Sequence, residues 1–317
     1  MKVTEHIAQA KSTLFSIELL PPLKGQNISS IFDTMNTLME FQPAFVDVTY
    51  HREEYVYREV KGGLLEKKTV RKRPGTVGIC AALKHRYHID PVPHIICGGF
   101  DREETENALI DLDFLGIDNV LVLRGDAIKS EGTFKPEPSG HSYAVDLLKQ
   151  VVDMNHGRYI DPELKDARKT NFCVGVAGYP EKHFEAPNLK SDLRYLKQKV
   201  DAGADYIVTQ MFYDNEAFFA FRDRCVKEGI TVPIIPGIKP LATKAQLVAI
   251  PKNFYVNMPE ELVDLAERCK DDREVADLGV EWCIRQCKEL IDGGVPVLHF
   301  YTMGKAVSTA RIAKAVF

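Results

Sequence analysis

Eight short runs of β-branched and apolar residues recur along the chain, and most of the segments between them carry apolar residues at helical spacing. The runs are Leu14 to Leu20, Ala44 to Tyr50, Pro93 to Cys97, Asn119 to Leu123, Phe172 to Ala177, Tyr206 to Gln210, Val232 to Ile235 and Val295 to Tyr301. Ala144, Leu147, Leu148, Val151 and Val152 show the intervening pattern, the apolar stripe of an amphipathic helix. Strand alternating with helix specifies a parallel sheet. Eight such units predict an α/β fold closed into a (β/α)8 TIM barrel, although an open doubly wound sheet gives the same alternation. The 317 residues suit one barrel of about 250 residues with insertions, so 1–317 reads as a single domain.

Composition removes several classes of function. At 45% hydrophobic and 27% charged, the chain can bury a sizeable core. A formal charge of −4 leaves no whole-protein footprint for nucleic acid. The cysteines, Cys80, Cys97, Cys173, Cys225, Cys269, Cys283 and Cys287, are odd in number and scattered without a C-x-x-C pair, which suits free thiols in a reducing compartment and no zinc site. In MKVTEHIAQAKSTLFSIELLPP, Glu5 and Lys11 leave an apolar run too short for a signal segment or a membrane span. A cytoplasmic protein without a membrane partner is expected.

Two stretches interrupt the rhythm. Residues 51–75 hold eight Lys or Arg against four Glu, and YVYREV, KGG and LLEKKTV read as a hairpin. Such an extended basic insertion is a solvated loop or, alternatively, a lid or partner contact. Asp126 to Gly140, rich in Gly, Pro, Ser and Lys, follows a strand and reads as an active-site loop.

The strands turn polar in an informative way. In FSIELLPP, the period of two sets Phe15, Ile17 and Leu19 against Ser16 and Glu18. A carboxylate there is either a structural ion pair or edge position, or a general acid kept protonated inside a barrel mouth. FVDVTY repeats the pattern with Asp47 and Thr49. His94 opens PHIIC, Arg124, Gly125 and Asp126 end NVLVLRGD, Tyr179 ends VGVAGYP and Gln210 ends YIVTQ. Barrel active sites collect residues from the C-terminal ends of several strands. His94 depends on this company, since a histidine near a strand start is as often a satisfied core residue as a ligand.

No G-x-G-x-x-G follows a strand, and no P-loop, G-x-S-x-G or H-E-x-x-H occurs. Without an obvious nucleophile or metal cage, the polar set favours a cofactor that carries the chemistry. Arg124 suits a phosphate, Gly125 a close backbone approach, and Asp126 a reacting nitrogen or cation.

FSIELLPP, VDVTY, PHIIC, LVLRGD, AGYPEKH, KVDAGADYIVTQMFYD, FRDRC, PGIKP and HFYT, in that order from Phe15 to Tyr301, resemble the methylenetetrahydrofolate reductase family. The likeness is to its bacterial single-domain form, without the regulatory domain of the eukaryotic enzymes. It implies a catalytic barrel carrying flavin adenine dinucleotide (FAD). That barrel reduces 5,10-methylenetetrahydrofolate to 5-methyltetrahydrofolate with NADH or NADPH by a ping-pong route, in one-carbon metabolism and methionine biosynthesis. Glu18 matches the acid that protonates N10 and also meets the substrate. Asp126 matches an aspartate near flavin and folate, and Gln210 an amide on the pterin. Thr49, His94, Arg124, Gly125, Asp126, Tyr143, Ala144, Tyr179, His183, Asp192 and Lys199 match flavin-contacting positions. The resemblance also implies a homo-oligomer.

The chain departs from the bacterial pattern in three places. Lys244 stands where an aromatic residue stacks on folate or nicotinamide, so a contact to the glutamate tail of folate is expected instead. Tyr195 and Gln198 replace an asparagine and an arginine of the flavin-binding helix, and the 51–75 insertion is longer. Two other readings stay open. One is a folate-binding methyl or methylene transferase that needs neither flavin nor hydride donor; the other is a non-catalytic folate- or flavin-binding subunit, indifferent to loss of the Glu18 carboxyl.

Overall fold

The computed structural model describes residues 1–128 and 131–317; Lys129 and Ser130, within the expected active-site loop, lie outside the described residues. In chain order the elements are α1 (Val3–Gln9), β1 (Leu14–Leu19), α2 (Ser29–Leu38), β2 (Phe45–Val48), β3 (Glu54–Val60), β4 (Leu64–Val70), α3 (Thr76–Tyr87), β5 (Asp90–Ile96), α4 (Arg102–Phe114), β6 (Asn119–Leu123) and α5 (Ala144–Asn155). They continue with β7 (Cys173–Gly178), α6 (Leu189–Asp201), β8 (Tyr206–Met211), α7 (Asn215–Lys227), β9 (Ile234–Ile238), α8 (Gln246–Phe254), α9 (Glu260–Arg268), α10 (Asp272–Asp292), β10 (Val297–Tyr301) and α11 (Val307–Val316).

All eight apolar runs form strands, and these close into a barrel in the order β1-β10-β9-β8-β7-β6-β5-β2, each pair parallel. Closure excludes the open sheet. Alternation along each strand then divides the core. Outward residues such as Ile17, Val46, Val120, Val174, Ile207 and Leu298 join the buried faces of the helices in one large cluster. Inward Phe45, Val92, Leu121, Tyr206, Ile235 and Val297 pack on one another and on Val3 of α1. In α5 the buried residues are Leu147, Leu148, Val151 and Met154, three of them from the expected stripe, while Ala144 and Val152 of that stripe pack against the core partly buried.

Two strands, β5 and β9, extend beyond the runs read from sequence by three residues, and proline is the reason in both. β5 begins at Asp90, pairing Phe45 with Asp90 and Val46 with Pro91, so His94 is its fifth residue and not its opening one. Pro91 and Pro93 lack amide donors and so resemble a strand boundary. β9 continues through Pro236 and Gly237 to Ile238.

The basic insertion is the hairpin β3-β4, paired from Glu54↔Val70 to Val60↔Leu64 and forming its own two-stranded sheet. Its base is tied to the barrel by Arg52, which bonds Glu137 at 2.5 Å and lies against Gly98 and Gly99. Among the described residues no helix is long and apolar enough to cross a membrane. All seven cysteines are unpaired, and all but Cys269 are buried.

Candidate active site

Strand register brings the first half of the site together. Glu18 sits level with Asp47 on β2 and Tyr301 on β10, while Ser16 sits level with His299. Side chains level with one another on parallel strands share a face, so these groups converge inside the barrel. His94 Nε2 lies 3.3 Å from Asp47 Oδ2 and 3.6 Å from Glu18 Oε2. Ser16 Oγ is 2.9 Å from His299 Nδ1, and the Tyr301 hydroxyl donates to the Thr209 carbonyl at 2.5 Å. The ring of Tyr301 fits only because position 237 is glycine: a Cβ there would stand 2.5 Å from that ring and 2.3 Å from the Thr209 oxygen.

Electrostatics follow from enclosure. Asp47 is 0% exposed, and the Glu18 side chain retains 14%. Burial pushes the Glu18 carboxyl up to about 7, with His94 opposing and Asp47 adding to the shift. Burial likewise raises Asp47 to about 7, against the pull of His299. Burial holds His94 below its ordinary value, and Glu18 partly offsets it. Glu18 therefore presents a carboxylic acid near neutrality, as a general acid requires.

The second half of the site comes from the segments after β6 and β7. Half-buried Arg124 bonds Glu185 at 2.5 Å and lies 5.1 Å from the centre of the Phe134 ring. Gly125 takes φ +84, and a Cβ there would press Ile96 at 3.1 Å, so glycine is required for this turn. Asp126 is exposed just beyond. Tyr179 and His183 meet edge to face at 4.8 Å, and the Asp192 carboxylate accepts the His183 amide at 3.0 Å. Lys199 donates to the Ala177 carbonyl at 2.6 Å; burial lowers it to about 8, with Asp192 opposing. His183 falls to about 4, through burial and then the charge of Arg124. Tyr143 is 61% exposed at the start of α5, next to Ala144.

Thr49 follows β2, its hydroxyl 3.3 Å from His51 Nε2. Gln210 accepts the Met211 amide through Oε1 at 2.9 Å, where the β8-β9 register shifts, and its amide NH2 is left to donate. Lys244 stands apart from this group: its ammonium donates to the Glu267 carbonyl at 2.9 Å. Asp47, which the sequence marks by alternation but without a role, is part of the arrangement, as are His299, Tyr301 and Glu185, which the sequence reading does not single out. Asp47 carries the same alternation signal as Glu18, and His299 shares the phase of Tyr301 in VLHFY.

The loop-borne half also fits a flavin nucleotide. Tyr143 gives α5 no side-chain cap, so its first amides are free to face an anion. Arg124 and Lys199 bring positive charge to the same mouth, and an exposed tyrosine offers a ring face. Among the described residues no three His, Cys, Asp or Glu side chains group to hold a metal ion.

The sequence matches the methylenetetrahydrofolate reductase family over residues 2–316. The chain belongs to that family. Methylenetetrahydrofolate reductase 2 of Saccharomyces cerevisiae is 33% identical over 312 residues, covering 96% of this chain and 47% of the yeast protein. The 5,10-methylenetetrahydrofolate reductase of Escherichia coli is 32% identical over 292 residues, covering 92% of this chain and 86% of that protein. The chain thus spans about half the length of the yeast member of the reductase family and most of the bacterial one. A solved structure from Clostridium thermocellum, described as binding two copies of 5-methyl-5,6,7,8-tetrahydrofolic acid, has a TM-score of 0.56 at 15% identity and covers 99% of this chain and 98% of its own. At that identity the likeness bears on the fold alone.

Proposed function

We propose that this chain reduces 5,10-methylenetetrahydrofolate to 5-methyltetrahydrofolate, with NADH or NADPH as hydride source and FAD as carrier. The observation that carries the reading is Glu18, a carboxyl held protonated near neutrality at the open end of a barrel. Flavin, when bound, supplies hydride exchange at N5. Arg124, Lys199 and the uncapped start of α5 hold its anionic part, Gly125 gives its backbone, and Tyr143, Ala144, Tyr179, His183, Asp192, Thr49 and His94 line the rest. Glu18 gives its proton to N10 of the folate and opens the five-membered ring to a 5-iminium cation. Asp126 places negative charge near that cation, and Gln210 donates its amide hydrogens to the pterin. Lys244 offers charge to the glutamate tail of folate once it leaves the Glu267 carbonyl.

The test is the visible spectrum of the purified protein, recorded before and after anaerobic addition of NADH. A flavin spectrum that bleaches, then recovers on adding methylenetetrahydrofolate, is the expected outcome. A protein that stays colourless after reconstitution with FAD overturns the reading.

A further inference from the structure

Asp47 has no task in the reaction as proposed, yet it is fully enclosed, ionisable and level with Glu18 in the strand register. Two neighbouring carboxylates repel most strongly where water is excluded, so such a pair retains a proton. His94 Nε2 lies within 3.6 Å of both. Asp47 Oδ2 faces this imidazole, whereas its Oδ1 has no hydrogen-bond partner in the protein. An enclosed oxygen without a donor costs least as the carbonyl oxygen of a protonated carboxyl. One proton placed on Glu18, on His94 or on Asp47 gives three states of equal charge.

We propose that Glu18, His94 and Asp47 hold one proton in common, and that Asp47 is a positioning residue that keeps Glu18 in its acid form. The inference rests on the reading of Glu18 as the acid. In each internal transfer the Asp47 O–H bond breaks as His94 Nε2 takes the proton, and that N–H bond breaks as Glu18 takes it. No electrons leave the unit. A proton lost from Glu18 to substrate returns from solvent through Glu18, the member that reaches the mouth.

The groups facing the unit stay neutral near pH 7. Cys80 on α3, Tyr206 on β8, Tyr301 on β10 and Tyr179 after β7 are all raised by burial. His299 on β10 and His51 after β2 are lowered by burial, and Ser16 on β1 carries no charge. Titration in this range therefore belongs to the shared unit.

Asp47→Asn tests it. Carboxyl 13C NMR on the full chain, with neither cofactor nor substrate, is expected to show Glu18 titrating in coupled steps in the wild type. In the variant a single step is expected, lower by roughly one pH unit. Glu18→Gln reads the unit from the other side and must move the Asp47 step down, which keeps the test available should Asp47→Asn not fold. The upper pH limb of folate reduction should fall with the NMR step. An identical Glu18 titration in wild type and Asp47→Asn overturns the shared proton. Coupled steps in a protein that never reduces folate would retain the shared proton and remove the reductase reading.

Discussion

The two halves of the barrel mouth are built differently. Glu18, Asp47, His94 and His299 project from strands, and their positions follow from register and alternation. Arg124, Tyr143, His183 and Lys199 sit at strand ends, on loops and on helix surfaces, and their neighbours include exposed side chains such as Glu185. The strand half is enclosed and carries the carboxyl pair; burial shifts Lys199 and His183 in the loop half as well, but that half opens onto exposed residues such as Tyr143 and Asp126, so it suits an extended anionic nucleotide. Proton chemistry and cofactor retention should therefore separate under mutation.

The largest separation is expected at Glu18. Glu18→Gln removes the proton donor and should slow folate reduction by roughly 100- to 10,000-fold, the usual weight of a general acid. Flavin reduction by NADH should be almost unaffected, because that half-reaction needs no acid. Stopped-flow measurement of the two half-reactions checks this. Equal loss in both would make Glu18 structural and dissolve the contrast.

Arg124→Ala probes the other half. Loss of charge-assisted bonds to an anionic group should weaken flavin retention by roughly 10- to 100-fold. Fluorescence of released flavin measures it, and Glu18→Gln should release no more flavin than wild type. A variant that keeps its flavin would exclude Arg124 from the cofactor site.

The strand half should also carry a stability cost that depends on pH. The Glu18 carboxyl rises from 4.5 to about 7 in the folded chain, so the native state holds a proton that the unfolded chain has already released. The contribution is complete below pH 4.5 and is lost as pH rises through 7. Wild-type Tm should therefore fall between pH 5 and 8, and Glu18→Gln should fall less, retaining on the order of 1 to 3 kcal/mol at pH 8. Thermal melts across that range decide it; parallel slopes would mean that Glu18 is not titrating there.

Much of the strand half was legible in sequence because alternation is local: one glutamate in FSIELLPP already faces inward. The eight strands and the 51–75 hairpin were legible for the same reason, whereas closure was expected only from the number of units. Asp47 carried the same signal, but its meaning depends on Glu18 being level with it across β1 and β2, and register between residues 29 apart in the chain is not a local property. His94 was misplaced along its strand because Pro91 and Pro93 imitate a boundary. Little of the loop half's geometry was legible, since the pairing of Arg124 with Glu185 spans two connections that only the closed barrel brings together.

The smallest effect is expected at Glu185, and it sharpens the contrast most finely. The pair with Arg124 is partly exposed, with the Glu185 side chain 43% accessible, so it adds little to stability. Its carboxylate is held below the usual range mainly by the Arg124 hydrogen bond, but solvent and salt screen that attraction. If Arg124 serves an anionic cofactor, Glu185 competes for its guanidinium. Glu185→Gln should leave Tm unchanged and tighten flavin binding by about two- to fivefold at low salt, with the gain fading as ionic strength rises. Flavin titrations at two salt concentrations test this. Weaker binding in the variant would instead make Glu185 the residue that holds Arg124 in place, so the loop half would be preorganised much as the strand half is.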